Sequence, residues 1–198
     1  MDFQWWIILR RYLPLTTLKL SSFVLDLSSP VKYAAFERDF YRKLTTRQPQ
    51  EYSRLLGEMK DLVLSQNGPG RDAVRPSALI TWQEVEQLSR DALVAFESHG
   101  VSHTAVGALE AEELDRELRQ SQRAIYDHTN ILPRHFCYPY GLTESIGSRA
   151  PELAARYYQS AVTMDRGRIK GRNPFLLPRI PIYKRDSPLS VRLKVLTA

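Results

Sequence analysis

A single cysteine, Cys137, in a chain of 198 residues excludes an intrachain disulfide and any cysteine-rich zinc module. It also leaves the redox compartment open. Long apolar runs are missing too. The opening stretch, Phe3 to Leu20, is interrupted by Gln4, Arg10, Arg11, Pro14 and Lys19, which is too broken for a membrane span. Asp2 precedes that stretch and the arginines follow it, the reverse of an export signal, so localisation stays undetermined. There is no internal repeat and no low-complexity tract. Histidine is scarce, with four residues in all, which makes the position of each one informative.

What is present describes a folded domain. Hydrophobic residues make up 43% and charged residues 25%, enough apolar surface for one ordinary domain with a core. Lys and Arg number 28 against 22 Asp and Glu, a net charge of +6. The basic residues are scattered, and the Arg166–Arg172 stretch is too short to make a nucleic-acid face by itself, so solubility is the reading of the charge and no nucleic-acid partner is expected.

Residues 1 to about 20 read as irregular or partly helical, with Trp5 and Trp6 as packing anchors. Phe23–Leu27 reads as a short extended piece closed by Ser28-Ser29-Pro30. Helical spacing follows from Val31 to Leu44, at Ala35, Phe36, Phe40 and Leu44, and again from Gln50 to Leu64, at Leu55, Leu56, Met59, Leu62 and Val63. The breaker Ser65-Gln66-Asn67-Gly68-Pro69-Gly70 ends that region. Beyond it, Thr81-Trp82-Gln83-Glu84 fits a capping box for a helix running to about Ala92. Leu93–Phe96 then reads as a buried strand, and about Glu110 to His128 as an amphipathic helix with Leu114, Leu118, Ser121 and Ile125 on its inner face. His135–Tyr138 reads as a strand, about Pro151 to Tyr158 as a helix, Ser160–Met164 and Phe175–Ile180 as strands, and the end of the chain as a basic tail. Alternating strand and helix predicts a parallel α/β sheet or barrel, whose active residues follow the carboxyl ends of strands.

Three places satisfy that rule: His99/His103, Pro139-Tyr140-Gly141 and Asp165-Arg166. Two imidazoles spaced His-x-x-x-His in a loop with Gly100 can begin a zinc-type site, and Ser98 and Ser102 can orient the rings. The Pro-Tyr-Gly turn can present a backbone N–H to an oxyanion. Cys137 reads as a small core residue, His128 as a cap on helix carbonyls and His135 as structural. Asp165 reads equally as a carboxylate ligand or a surface turn.

Residues 78–182 resemble the polysaccharide deacetylase family, also called the NodB homology domain or carbohydrate esterase family four. The matching residues are Ile80 to Val85, Glu97-Ser98-His99-Gly100-Val101-Ser102-His103, Arg134-His135-Phe136-Cys137-Tyr138-Pro139-Tyr140-Gly141 and Leu177-Pro178-Arg179-Ile180-Pro181. Trp5-Trp6 and Asp26-Leu27-Ser28-Ser29-Pro30 resemble a segment that some members carry. The resemblance implies a distorted (β/α) barrel that removes N-acetyl or O-acetyl groups from an amino-sugar polymer, using a divalent metal, usually zinc. It implies His99 and His103 as metal ligands, Tyr140 as the backbone donor to the oxyanion, and Pro139 with Tyr140 on the substrate side. Arg179 is expected to orient a carboxylate or the substrate.

Departures accompany the resemblance. Members begin with a strand ending in an Asp-Asp pair that supplies a base and the third ligand, and no Asp-Asp pair occurs in this chain. Cys137 stands where an arginine is often found, and no histidine follows His135. The expectation is therefore one incomplete domain over 1–198: a mostly helical, insertion-like segment at 1–77, a barrel core at 78–182 lacking its first strand or strands, and a basic tail at 183–198. The function expected is an impaired metal-dependent deacetylase, with a non-catalytic glycan- or protein-binding descendant as the alternative. Open sheet edges invite pairing with another chain. The purified polypeptide is expected to self-associate or aggregate in light scattering; a monomer with one cooperative melting transition would contradict that.

Overall fold

The computed structural model of the protein describes residues 17–19, 24–26, 28–29, 31–32, 35, 54, 57–58, 61, 80–183 and 186–197. The chain divides into two compact units, Met1–Thr81 and Trp82–Ala198. In the first, β1 (Thr17–Lys19) pairs antiparallel with β2 (Val24–Asp26), placing Thr17 opposite Asp26. The extended piece expected at 23–27 is present as β2. Thr17–Lys19, expected to be irregular or partly helical, is a strand because β2 supplies its ladder partner. At the end of β2, Asp26 accepts hydrogen bonds from the Lys32 ammonium and from Ser28, which hold its carboxyl down at about 2. Val31, Lys32, Ala35, Arg54, Gly57, Glu58 and Asp61 are helical, inside the two runs read as helices. Trp5, Trp6, the other apolar positions of those runs and the 65–70 breaker lie outside the described residues.

The second unit contains α1 (Trp82–Leu88), a 3-10 turn (Val106–Ala108), α2 (Ala111–Thr129), β3 (His135–Cys137), α3 (Thr143–Ile146), α4 (Ala150–Ala154), β4 (Ser160–Val162) and α5 (Pro188–Leu196). β3 and β4 are parallel, pairing His135 with Ser160 and Cys137 with Val162. Single parallel bridges extend the sheet by one position on each side, Ser98 to Phe136 and Val162 to Leu177. The result is a small open α/β sheet; a closed barrel is not seen among the described residues.

α2 forms where its apolar period predicts. Glu112 and Glu113 sit in its first turn, where carboxylates favour the helix dipole, and the Glu113 side chain accepts the Glu110 N–H. Asn130 ends the helix in the left-handed conformation, its N–H bonded to Tyr126 O. His128 is thus not the cap expected; its ring stacks on Trp82 at 4.2 Å. Leu114 and Leu118 on α2 pack in one core with Phe136, Tyr138, Ile146, Leu153, Tyr158 and Ala161. The two buried phenols are satisfied, Tyr138 donating to Phe175 O and Tyr158 to Leu118 O. Gln122 ties the helix to the segments that lead into β3 and β4 by donating to Pro133 O and Tyr157 O.

Several expectations are corrected. α1 ends at Leu88, short of Ala92. Leu93–Phe96 is not a buried strand: Leu93 is 94% exposed, and pairing begins only at Ser98. The cause is Asp91, whose side chain accepts Leu93 N–H and whose carbonyl accepts Val94 N–H, a local turn that competes with a ladder. Phe175–Ile180 contributes a bridge at Leu177 and no longer strand. The tail carries α5, started by Ser187, whose side chain accepts Ser190 N–H.

Leu118 is fully buried, so Leu118→Ala is expected to lower unfolding free energy by about 2–5 kcal/mol in urea titration. A loss below about 1 kcal/mol would mean that the α2–sheet core is not packed as described.

Candidate active site

The site is assembled at the carboxyl end of the sheet. Ser98 N–H donates to His135 O and Cys137 N–H donates to Ser98 O, which aligns the chain before His99 beside β3. Glu97 completes that alignment by accepting the N–H groups of Arg134 and His135, both at 2.8 Å. The histidine loop then crosses to α2. Glu117 Oε2 accepts Val101 N–H at 2.7 Å and Ser102 N–H at 3.1 Å, and Ser121 Oγ accepts Gly100 N–H. The roles of Glu117 and Glu97 were not anticipated. The signal for Glu117 was available: it falls on the inner stripe of α2, between Leu114 and Ser121, where a carboxylate needs partners.

His99 and His103 come together with ring centroids 4.8 Å apart, edge to face, and His103 meets Tyr140 at 5.0 Å in the same manner. His99 Nδ1 lies 2.6 Å from Cys137 O. A carbonyl only accepts, so Nδ1 carries the proton and Nε2 presents the lone pair. That is the arrangement that orients an imidazole for a metal. Burial lowers the His99 pKa, but its hydrogen bonds with Cys137 outweigh this and leave it raised. Burial, and then the neighbouring His99, push His103 down to about 4, so its imidazole is neutral at pH 7.

Two of the three described non-glycine residues with positive φ are here, His103 at 57° and Tyr140 at 61°. Such conformations cost about 1–3 kcal/mol and gather at functional sites. Tyr140 is the centre of a tight turn closed by Gly141 N–H to Pro139 O at 2.7 Å. Gly141 has φ 66°, and a Cβ there would lie 2.8 Å from Met164 N. Pro139 is buried beneath the turn.

Arg179 also joins the site, though indirectly. Its backbone N–H donates to Asp165 O and its Nη1 donates to Cys137 Sγ at 2.9 Å. Cys137 is therefore more than a small core residue: half-buried, it links His99 to Arg179. Asp165 is exposed and is not grouped with the histidines. Among the described residues no three His, Cys, Asp or Glu side chains are placed to hold a metal ion. No described carboxylate joins the two imidazoles to make such a group. His135 is structural, its Nδ1 at 2.9 Å from Ser160 Oγ.

The sequence model of the family described as polysaccharide deacetylase matches residues 45–157, more than half of the chain. The chain belongs to the polysaccharide deacetylase family. A comparison with curated proteins finds no match. Among solved structures, a polysaccharide deacetylase from Bacillus cereus is similar with a TM-score of 0.54 and 15% identity, over 70% of this chain and 46% of that one. The Streptococcus pyogenes deacetylase PplD, solved in complex with acetate, has a TM-score of 0.54 and 21% identity, over 62% of this chain and 53% of its own. The chain thus spans about half the length of these solved deacetylases, and at these identities the likeness is one of fold.

Removing the Glu117 carboxylate leaves two loop N–H groups without their acceptor, so Glu117→Ala is expected to cost about 1–3 kcal/mol in urea unfolding. Gly141→Ala is expected to cost a similar 1–3 kcal/mol, roughly, by forcing a Cβ into Met164 at positive φ. Wild-type stability in either variant would contradict the contacts described.

Proposed function

We propose that this member of the polysaccharide deacetylase family is a metal-dependent hydrolase that removes N-acetyl or O-acetyl groups from an amino-sugar polymer. The observation that carries the proposal is the His99–His103 pair facing Tyr140, with His99 Nδ1 held by Cys137 O. His99 and His103 would hold a divalent ion, zinc being the ion that suits imidazole donors. When bound, such an ion supplies Lewis acidity and activates water near neutral pH.

The chain's own residues supply the rest. Cys137 O fixes the His99 tautomer, and Glu117 holds the loop that carries His103. The strained turn at Tyr140 directs its backbone N–H towards a developing oxyanion, and Tyr140, half-buried above the buried Pro139, forms the substrate-facing wall. Arg179, anchored on Asp165 O and Cys137 Sγ, orients a carboxylate or the substrate. The missing Asp-Asp pair removes the family's base and third ligand, so weak metal binding and slow turnover are proposed. PplD was solved with acetate, the carboxylate that deacetylation releases, which agrees with this substrate class.

A second reading, a non-catalytic glycan- or protein-binding descendant, is favoured by one observation: no described carboxylate completes the pair. One experiment separates the two. The full chain is dialysed against zinc, its metal content is measured, and acetate release from N-acetylglucosamine oligomers is followed. The expected result is weak zinc binding that approaches one ion per chain only at high zinc concentration, with slow acetate release, both lost in His99→Ala and His103→Ala. No zinc uptake would overturn the metal assignment. Oligomer binding with no acetate release under saturating zinc would establish the second reading.

A further inference from the structure

A cavity of about 710 Å³ opens between α3, α4 and the segment 165–176. Neither histidine of the pair lines it, nor does Tyr140. Its volume is that of a small-molecule site, about 300–1,000 Å³. Ile146, Pro151, Phe175 and Leu176 make its apolar lining, and Ile146 and Phe175 are anchored in the core behind it. Gly147 ends α3 at φ 68° and lies so close to the 3-10 turn that a Cβ on it would sit 2.9 Å from Gly107 Cα. Only glycines allow that approach, which fixes the α3 wall before any ligand arrives.

Charge distinguishes the polar side of the cavity. Two carboxylates line it, Glu152 in the first turn of α4 and Asp165 after β4, together with one cation, Arg172. Asp165 is fixed through its backbone, which bonds Thr163 Oγ1 and Arg179 N–H, so its carboxylate is not spent on the fold. Neither carboxylate forms a hydrogen bond or ion pair with another described residue. Arg172 does not neutralise them: its Nη2 folds back over Gly167, 3.2 Å from where a Cβ there would stand. On a chain of net charge +6 the lining is thus left with an excess of negative charge.

The cavity adjoins the candidate active site. Thr143 on its edge follows Tyr140 by three residues, at most about 11 Å of chain. Met164 N–H donates to Gly141 O at 2.7 Å, which ties the segment carrying Asp165 to the same turn. A polymer with one acetyl group at Tyr140 has a neighbouring sugar within reach of the cavity. A sugar ring offers C–H faces to the apolar lining and hydroxyls to the polar side. An N-acetyl group is neutral, whereas the amine that deacetylation leaves is a cation near neutral pH. Unpaired carboxylates favour the cation.

We propose that this cavity is a subsite for a deacetylated, ammonium-bearing sugar held by Glu152 and Asp165, so that the preferred substrate is an amino-sugar polymer already partly deacetylated. The identity of the ligand rests on the deacetylase reading; the preference for a cation rests on the lining of the cavity.

The test is calorimetric titration of the full chain, without added metal, with glucosamine tetramer and with N-acetylglucosamine tetramer. Mildly acidic buffer keeps the amines protonated and the carboxylates ionised. The glucosamine tetramer is expected to bind at least about fivefold more tightly, with an advantage that fades as salt is added, as exposed ion pairs require. Changing Glu152→Gln and Asp165→Asn together is expected to remove the advantage; both residues are exposed, and an unchanged melting temperature is expected. Glu112→Gln, exposed on α2, is expected to have no effect. Equal affinity for the two tetramers, binding of neither, or an advantage that survives the double variant overturns the proposal. So does tighter binding of a glucuronic acid oligomer that is lost in Arg172→Gln. The two readings fail separately. A chain that binds glucosamine tetramer through Glu152 and Asp165 but releases no acetate keeps the subsite and loses the enzyme. One that deacetylates fully acetylated oligomers best, with the double variant unchanged, keeps the enzyme and loses the subsite.

Discussion

β3 is hydrogen-bonded along both edges, through Cys137 N–H to Ser98 O and through Tyr138 N–H to Val162 O. That constraint sets the level at which three neighbouring segments leave the sheet. His99 follows Ser98, Tyr140 follows β3, and Asp165 follows β4 with Arg179 bonded to it. Parallel strands this short hold their register only when both faces are covered. The core formed by Leu114 and Leu118 of α2 with Phe136, Tyr138 and Ala161 provides apolar cover for the sheet. Loss of that packing would free the strands to shift, and every site residue would move with them.

Polar groups finish what the ladder leaves open. Glu97 accepts two N–H groups where a longer neighbouring strand would have offered carbonyls, and Glu117 does the same for the histidine loop. A carboxylate that accepts backbone N–H groups makes charge-assisted bonds, stronger than neutral ones and directional. The loop can therefore hold His103 at positive φ without regular secondary structure around it. Strain at His103 and Tyr140 is balanced by these bonds and by the tight turn over Pro139.

Much of this was legible in the chain because it depends on local pattern. The nineteen-residue helix α2 follows from the spacing of Leu114, Leu118 and Ser121, a period that tertiary context merely fills. β3 and β4 were legible from short apolar runs between breakers, and the histidine loop from its place after such a run. Family membership followed from the His99–His103 and Tyr138-Pro139-Tyr140-Gly141 elements together. The failures are equally local. Leu93–Phe96 is apolar and looks like a strand, but the Asp91 turn claims its first N–H groups. α5 was hidden in a basic tail because its Leu189, Leu193 and Leu196 face solvent, so no core records its period.

By itself the sequence determined which chemistry is available: two closely spaced imidazoles, a Pro-Tyr-Gly turn, one cysteine, and no Asp-Asp pair. Residue identity and spacing along one segment settle such things. Only the tertiary structure decided which groups meet. It placed Cys137 between His99 and Arg179, forty-two residues apart from the latter along the chain, and set Glu117 under the histidine loop. Those contacts join separate segments through parallel pairing and helix packing, which no pattern within one segment encodes.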